Sequence, residues 1–185
     1  MNDIPTRTGV HSLPEITAAW RDCIAGFTGW VEAQPDDRFA TGPAGRWSTG
    51  QHVNHLIRSV FPLAQGIGLP KFVLRLVMGT SDHPSADYAT IVARYEAVLE
   101  QGGKASGPYV PPAVRQDQKA ALLAQHRALG ERVAHLLTTR WDEAALDRHA
   151  AKHPLLGKLS LREILYFSIH HHDHHLQTLQ RDYAG

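Results

Sequence analysis

This 185-residue chain has little cysteine, no long apolar run and no large excess of positive or negative charge. Cys23 is its single cysteine, which excludes an internal disulfide and a metal site built from several cysteines. The 19 Lys and Arg residues nearly balance the 18 Asp and Glu residues, so a formal charge of +1 argues against nucleic acid as a partner and against an acidic membrane. No apolar run approaches the roughly 20 residues of a membrane span, and no signal peptide is visible, so we expect a cytoplasmic protein.

The alternating pattern of a half-buried strand is also missing, and apolar residues follow helical spacing instead. Ser12, Ser48 and Ser160 are each followed three residues later by Glu or Gln, the capping box that begins a helix. The apolar pattern predicts helical segments at 12–34, 48–62, 85–102, 113–139 and from 160 onward. Cys23 lies on the apolar stripe of the first segment and is expected in the core. We therefore predict an all-α fold, one domain over residues 1–185, built as a four-helix bundle with residues 66–110 as an elaboration near the site.

Residues 66–84 allow two interpretations. The apolar residues of this stretch accompany Lys71 and Arg75, which are four residues apart. One interpretation is a short helix over the mouth of a cavity, whose two cations meet an anionic substrate. The other is a packed connector whose cations extend along its apolar surface into water.

Five of the chain's 13 histidines lie in the segment 168–177, inside the last predicted helix. At roughly 100° per residue from Ser168, the apolar residues of this helix fall between about 20° and 100°. His171 and His175 fall near 300° and 340°, at one edge of this apolar face, about one turn apart, so they can share a ligand. His172, near 40°, points to the centre of the core.

The polar side of the same helix is predicted to carry His170 and His174, with Glu163 and Asp173, so no inward carboxylate is expected there. A third ligand to a metal would come from another helix, where His52 and His55 are three residues apart and either can serve. Three imidazoles leave open positions on a metal, as catalytic sites require. All-nitrogen ligation suits zinc, nickel, copper or iron.

Three short motifs together resemble the DinB/YfiT-like superfamily. They are Trp47-Ser48 followed by His55-Leu56, a His-Pro-x-x-Gly-x-Leu-Ser segment at 153–160, and His171-x-x-His174-His175-Leu176. The resemblance implies a four-helix bundle, often a homodimer, that binds a divalent metal, with zinc or nickel favoured and iron or copper also compatible. The family's ligand in the second helix is the histidine eight residues after the tryptophan. The implied ligands are therefore His55, His171 and His175.

The resemblance implies two kinds of enzyme. One is a metal-dependent hydrolase, and the other is an S-transferase that uses a low-molecular-weight thiol such as bacillithiol or mycothiol; both act on small molecules. We keep His52, Arg58 and His172 as candidates for positioning substrate or moving protons. The alternatives are a non-catalytic metal-binding stress-response protein and a helical interaction module without a metal.

Overall fold

The computed structural model describes residue 7 and residues 9–184. A β-hairpin, β1 (Ala150–His153) and β2 (Gly157–Ser160), precedes the last helix. The α-helices are α1 (Leu13–Glu32), α2 (Asp37–Ala40), α3 (Thr49–Gly68), α4 (Lys71–Met78), α5 (Tyr88–Glu100), α6 (Lys119–Arg140), α7 (Glu143–Arg148) and α8 (Leu161–Asp182). Among these helices, none has both the length and the apolar character needed to cross a membrane.

The four longest helices, α1, α3, α6 and α8, pack against one another as a bundle. Its core is formed by large apolar side chains from all four helices, including Trp20, Leu56, Leu137 and Leu165, which are fully buried. Helix α5 packs on the outer side of α8. The predicted all-α bundle is confirmed.

The three predicted capping boxes are present and begin the three bundle helices α1, α3 and α8. In each, the serine hydroxyl accepts the backbone N–H three residues on, and the Glu or Gln side chain returns to the serine N–H. Other helix boundaries differ from the predicted ones. Helix α3 continues through Pro62 to Gly68, Asp87 rather than Ser85 caps α5, and α6 begins at Lys119 after a short 3-10 turn rather than near 113.

The hairpin before α8 was not predicted. Its two strands have only four residues each, which is too short for an alternating pattern to stand out in the sequence. The strands are antiparallel, with His153 opposite Gly157, and the glycine has a φ of +76°, which favours glycine over other residues. The hairpin ends where α8 begins, so it fixes the entry of that helix into the bundle.

The prediction that Glu163 and Asp173 lie on a solvated face of α8 is wrong. Their exposed fractions are 0% and 5%. The Glu163 carboxylate accepts the backbone N–H of Ala86, and Asp173 forms an ion pair with Arg7 at 2.7 Å. The prediction assumed that α8 buries a single apolar stripe. In the structure α1 covers one side of α8 and α5 covers another, so polar residues outside the stripe are buried as well.

Residues 71–78 form the short helix α4 beside a cavity. Leu74 and Met78 line that cavity, while Phe72 and Leu76 are exposed. The predicted cation Lys71 instead binds Asp142 at 3.1 Å. A short helix beside the cavity is therefore present, as in the first interpretation, but neither Lys71 nor Arg75 is among the described residues that line the cavity.

Candidate metal centre

Two helices of the bundle bring three histidines together. Helix α3 supplies His55, and α8 supplies His171 and His175 one turn apart; their exposed fractions are 4%, 6% and 8%. The Nε2 atom of His171 lies 3.1 Å from Nε2 of His55 and 3.0 Å from Nε2 of His175. Tetrahedral ligands with bonds of about 2.0–2.1 Å are about 3.3 Å apart, so three nitrogens at these separations could hold one ion after a shift of a few tenths of an ångström.

The hydrogen bonds behind the cluster set which ring nitrogen is free. Nδ1 of His55 lies 2.7 Å from the backbone carbonyl oxygen of Tyr109. A carbonyl only accepts, so the proton of His55 is on Nδ1, and the lone pair on Nε2 faces the other two histidines. Burial, the largest cause, lowers the pKa of His55 and lowers those of His171 and His175 well below the usual value. Neutral imidazole is the form that binds a metal.

His52 contacts the cluster from behind. Its Nδ1 lies 2.8 Å from Nδ1 of His175, on the side of that ring away from the other two histidines. Burial, together with the nearby His55, lowers the pKa of His52 to about 3, so His52 is neutral and one of the two facing nitrogens must be an acceptor. With a proton on His175 Nδ1, His52 Nδ1 accepts a hydrogen bond from that N–H, and the Nε2 lone pair of His175 is directed at the centre. Among the sequence candidates, His52 is the one that touches the cluster.

The other two candidates lie elsewhere. His172 is fully buried; its Nδ1 donates to the Ser168 carbonyl, and its Nε2 is 3.1 Å from Nε2 of His126 on α6. Arg58 donates to the Asn54 side chain and to the Pro108 carbonyl. Arg58 thereby anchors the residue next to Tyr109, whose carbonyl binds His55, and it has no described contact with the three histidines.

His170 and His174 are less exposed than predicted. Both turn toward α5, with side-chain exposed fractions of 14% and 29%, and His170 Nε2 lies 2.7 Å from a carboxylate oxygen of Glu96. The prediction that they face solvent therefore holds only in part, because α5 packs against the face of α8 from which they project.

A cavity of about 250 Å³ opens beside the three histidines, which form part of its wall. The rest of the wall is mainly apolar, and the exposed Lys104 and Lys152 also contribute to it. The large apolar residues that line it are Leu63, Leu74, Met78, Leu99, Leu155, Leu161, Ile164 and Phe167. Such a cavity can bury the apolar body of a small molecule next to the histidine cluster.

His153 lines the same cavity with a defined protonation state. Its Nδ1 accepts the backbone N–H groups of Leu155 and Leu156 at 3.2 and 3.0 Å. An N–H group can only donate, so the proton of His153 must be on Nε2. Burial lowers its pKa to about 4, and its ring packs against Phe167, with the two ring centroids 4.1 Å apart. The ring therefore offers one N–H donor to a molecule in the cavity.

The sequence alone did not single out this role of His153. In the sequence His153 is visible only as the first residue of the His-Pro-x-x-Gly-x-Leu-Ser motif, because the two N–H donors that fix its tautomer come from the backbone of the hairpin turn. Its proline neighbour and the later glycine were the available signal that this segment turns back on itself.

Comparison with known families covers nearly the whole chain. The family model described as DinB superfamily matches residues 10–179. Comparisons with curated proteins and with solved structures gave no significant match. A match of this length includes α1, α3, α6 and most of α8, and with them all three clustered histidines. The chain belongs to the DinB superfamily.

Proposed function

We propose that His55, His171 and His175 bind one divalent metal ion and that the protein is a metal-dependent enzyme for a small molecule held in the adjoining cavity. The observation that carries the proposal is the convergence of three buried Nε2 atoms, at 3.0 and 3.1 Å, on the wall of that cavity. All-nitrogen ligation suits zinc, nickel, copper and iron, and the family favours zinc or nickel among them. When bound, such an ion lowers the pKa of a water or a thiol at an open position.

The chain's own residues would bind and orient the substrate. The apolar wall holds an apolar body and excludes water, and the N–H on Nε2 of His153 is placed to donate to a carbonyl or similar acceptor. Tyr95 also lines the cavity, and burial raises the pKa of its hydroxyl, so it stays protonated. These two groups are donors, which suits the stabilisation of negative charge on a substrate.

Between the two reactions implied by the family, the lysines favour S-transfer. Lys104 and Lys152 line the cavity and are exposed, so they can meet the carboxylates of a thiol that carries them, as bacillithiol does and mycothiol does not. The thiol would lose its proton to solvent, and its sulfur would form the new bond to an electrophilic carbon bound against the apolar wall. The bond from that carbon to its leaving group breaks in the same substitution, and the leaving group departs to solvent with the electron pair and takes up a proton there. Hydrolysis of an ester or amide in the same cavity is the second candidate, favoured by the N–H donor of His153.

Metal analysis of protein prepared without a histidine tag tests whether the three histidines bind a divalent metal ion. We expect one ion per chain at the three-histidine centre. That ion should be lost in His55→Ala and in His175→Ala. It should be retained in the control His135→Ala, which removes an exposed histidine of α6. Retention of that ion in both ligand variants, or no bound divalent metal in the native protein, would refute the proposal.

Turnover assays separate the reactions. A fluorogenic electrophile with cysteine-containing thiols reports S-transfer, and an aryl ester reports hydrolysis. Metal-dependent thiol consumption that disappears in His55→Ala supports S-transfer, and Lys104→Gln should then raise the KM for the thiol while leaving kcat nearly unchanged. Bound metal with no turnover in either assay, and a large drop in Tm on chelation, would instead support the non-catalytic metal-binding protein.

A further inference from the structure

A second group of metal-binding side chains lies between α5 and α8. It consists of Glu96 from α5 with His170 and His174 from α8, and one ligand atom from each lies within 4.8 Å of the others. The two histidines are one turn apart on the face of α8 that packs against α5. The ring of Tyr95 contacts both and also contacts His171, so it lies between this group and the three-histidine centre.

Hydrogen bonding alone accounts for only part of this arrangement. His170 Nε2 and Glu96 Oε1 are 2.7 Å apart, which is a hydrogen bond. His174 Nδ1 is 3.6 Å from the same oxygen, too far for one. His174, the third possible ligand, therefore lies near this oxygen although no hydrogen bond holds it there.

We propose that Glu96, His170 and His174 form a second divalent-metal site. Tetrahedral ligands with bonds of about 2.0–2.1 Å are about 3.3 Å apart, and the observed separations of 2.7 and 3.6 Å lie on either side of that value. The Glu96 side chain is 42% exposed, so it can move the few tenths of an ångström that an ion requires. The ion takes the place of the proton shared by His170 and Glu96, and that proton leaves to solvent.

The donor set and its surroundings decide which ions bind. Two imidazole nitrogens and one carboxylate suit zinc, iron, nickel and copper rather than calcium or magnesium, which prefer oxygen ligands. The carboxylate reduces the net charge of an occupied site, but the groups are more exposed than the three buried histidines, and a hydrogen bond must first be broken. The second ion is therefore expected to bind more weakly than the first.

Occupation of this site would connect α5 to α8 at the wall of the cavity. Tyr95 on α5 and His174 on α8 both line that cavity. An ion bound to residues of both helices holds them together, so it should reduce local opening of α5. Excess metal would then stiffen the cavity wall without any ion being added at the three-histidine centre.

Calorimetric titration of tag-free, metal-stripped protein with zinc tests the proposal. The wild type should bind two ions, Glu96→Gln one, His55→Ala one, and the double variant none. Glu100→Gln, one turn further along α5 and exposed, is the matched control and should bind two. Hydrogen exchange in α5 should slow with the second equivalent in the wild type and not in Glu96→Gln.

The pattern of losses distinguishes this site from the first. The proposal of a second site is overturned if the wild type binds one ion and His55→Ala loses it. It is also overturned if Glu96→Gln still binds a second ion. Neither result contradicts the proposed three-histidine centre. An ion that is lost in Glu96→Gln while His55→Ala has no effect supports the second site and refutes the first. Circular dichroism of each variant confirms that the helices remain folded.

Discussion

Replacing His52 by leucine should weaken metal binding without removing a ligand. His52 Nδ1 is 2.8 Å from Nδ1 of His175 and can accept a hydrogen bond from the N–H at that atom, which keeps the Nε2 lone pair of His175 directed at the centre. Leucine fills much of the same volume and accepts no hydrogen bond. The buried N–H of His175 would then be left unpaired, or the ring would adopt the tautomer that does not bind metal at Nε2.

Two estimates of the size of this effect agree. Loss of a hydrogen-bond partner behind a metal-binding histidine typically reduces metal affinity about 10–100-fold, which is about 1.4–2.7 kcal/mol. Leaving a buried N–H unpaired costs about 1–3 kcal/mol. His175 is only 8% exposed, so water is a poor substitute for the missing acceptor. The dissociation constant for zinc should therefore rise by about 10–100-fold in His52→Leu.

Competition with a chelating dye measures this change. His52→Asn is the matched variant, since the Oδ1 atom of asparagine can occupy roughly the position of Nδ1 and accept the same hydrogen bond; it should restore most of the affinity. His135→Ala should bind as the wild type does. Equal affinity in His52→Leu and the wild type, or equal weakening by leucine and asparagine, would refute the positioning role of His52.

Glycine substitution, acidification and thiol labelling test other parts of the structure. Gly50→Ala should lower the free energy of unfolding by about 1–3 kcal/mol, because a Cβ atom would lie 2.6 Å from the Phe39 carbonyl oxygen. Gly29→Ala, whose Cβ would meet nothing within 4 Å, should raise it by up to about 1 kcal/mol; urea unfolding measures both, and effects of the same sign would contradict the packing argument. The folded pKa of His153 is about 4 and that of an unfolded histidine about 6.5, so the unfolded chain binds more protons between these values. Metal-free protein should accordingly lose up to about 3 kcal/mol of stability from this group as the pH falls from 6.5 to 4, and His153→Gln should show a shallower pH dependence. Cys23 is 3% exposed and burial raises the pKa of its thiol, so it should react with a thiol reagent only as fast as the protein opens; rapid labelling in native buffer would place it outside the core.

The main elements of the fold could be predicted because their signals are local. Helical spacing of apolar residues and three capping boxes were visible in the sequence, and the structure begins α1, α3 and α8 at those boxes. The hairpin and the start of α6 were missed because short strands and 3-10 turns depend on contacts with distant elements. Local patterns also cannot show how many sides of a helix are covered. For that reason Glu163 and Asp173 were assigned to solvent although both are buried.

For the site, the sequence by itself determined which histidines share one side of α8. The helical repeat puts His171 and His175 together at the edge of the apolar face, whatever the rest of the chain does. Local spacing left His52 and His55 as alternatives for the third ligand, and only the family resemblance favoured His55. The tertiary structure decided which side chains lie beside the pair, because contacts between distant residues have no signature in local spacing. Packing of α3 on α8 brings His55 to the pair and His52 behind His175, and packing of α5 brings Glu96 to His170.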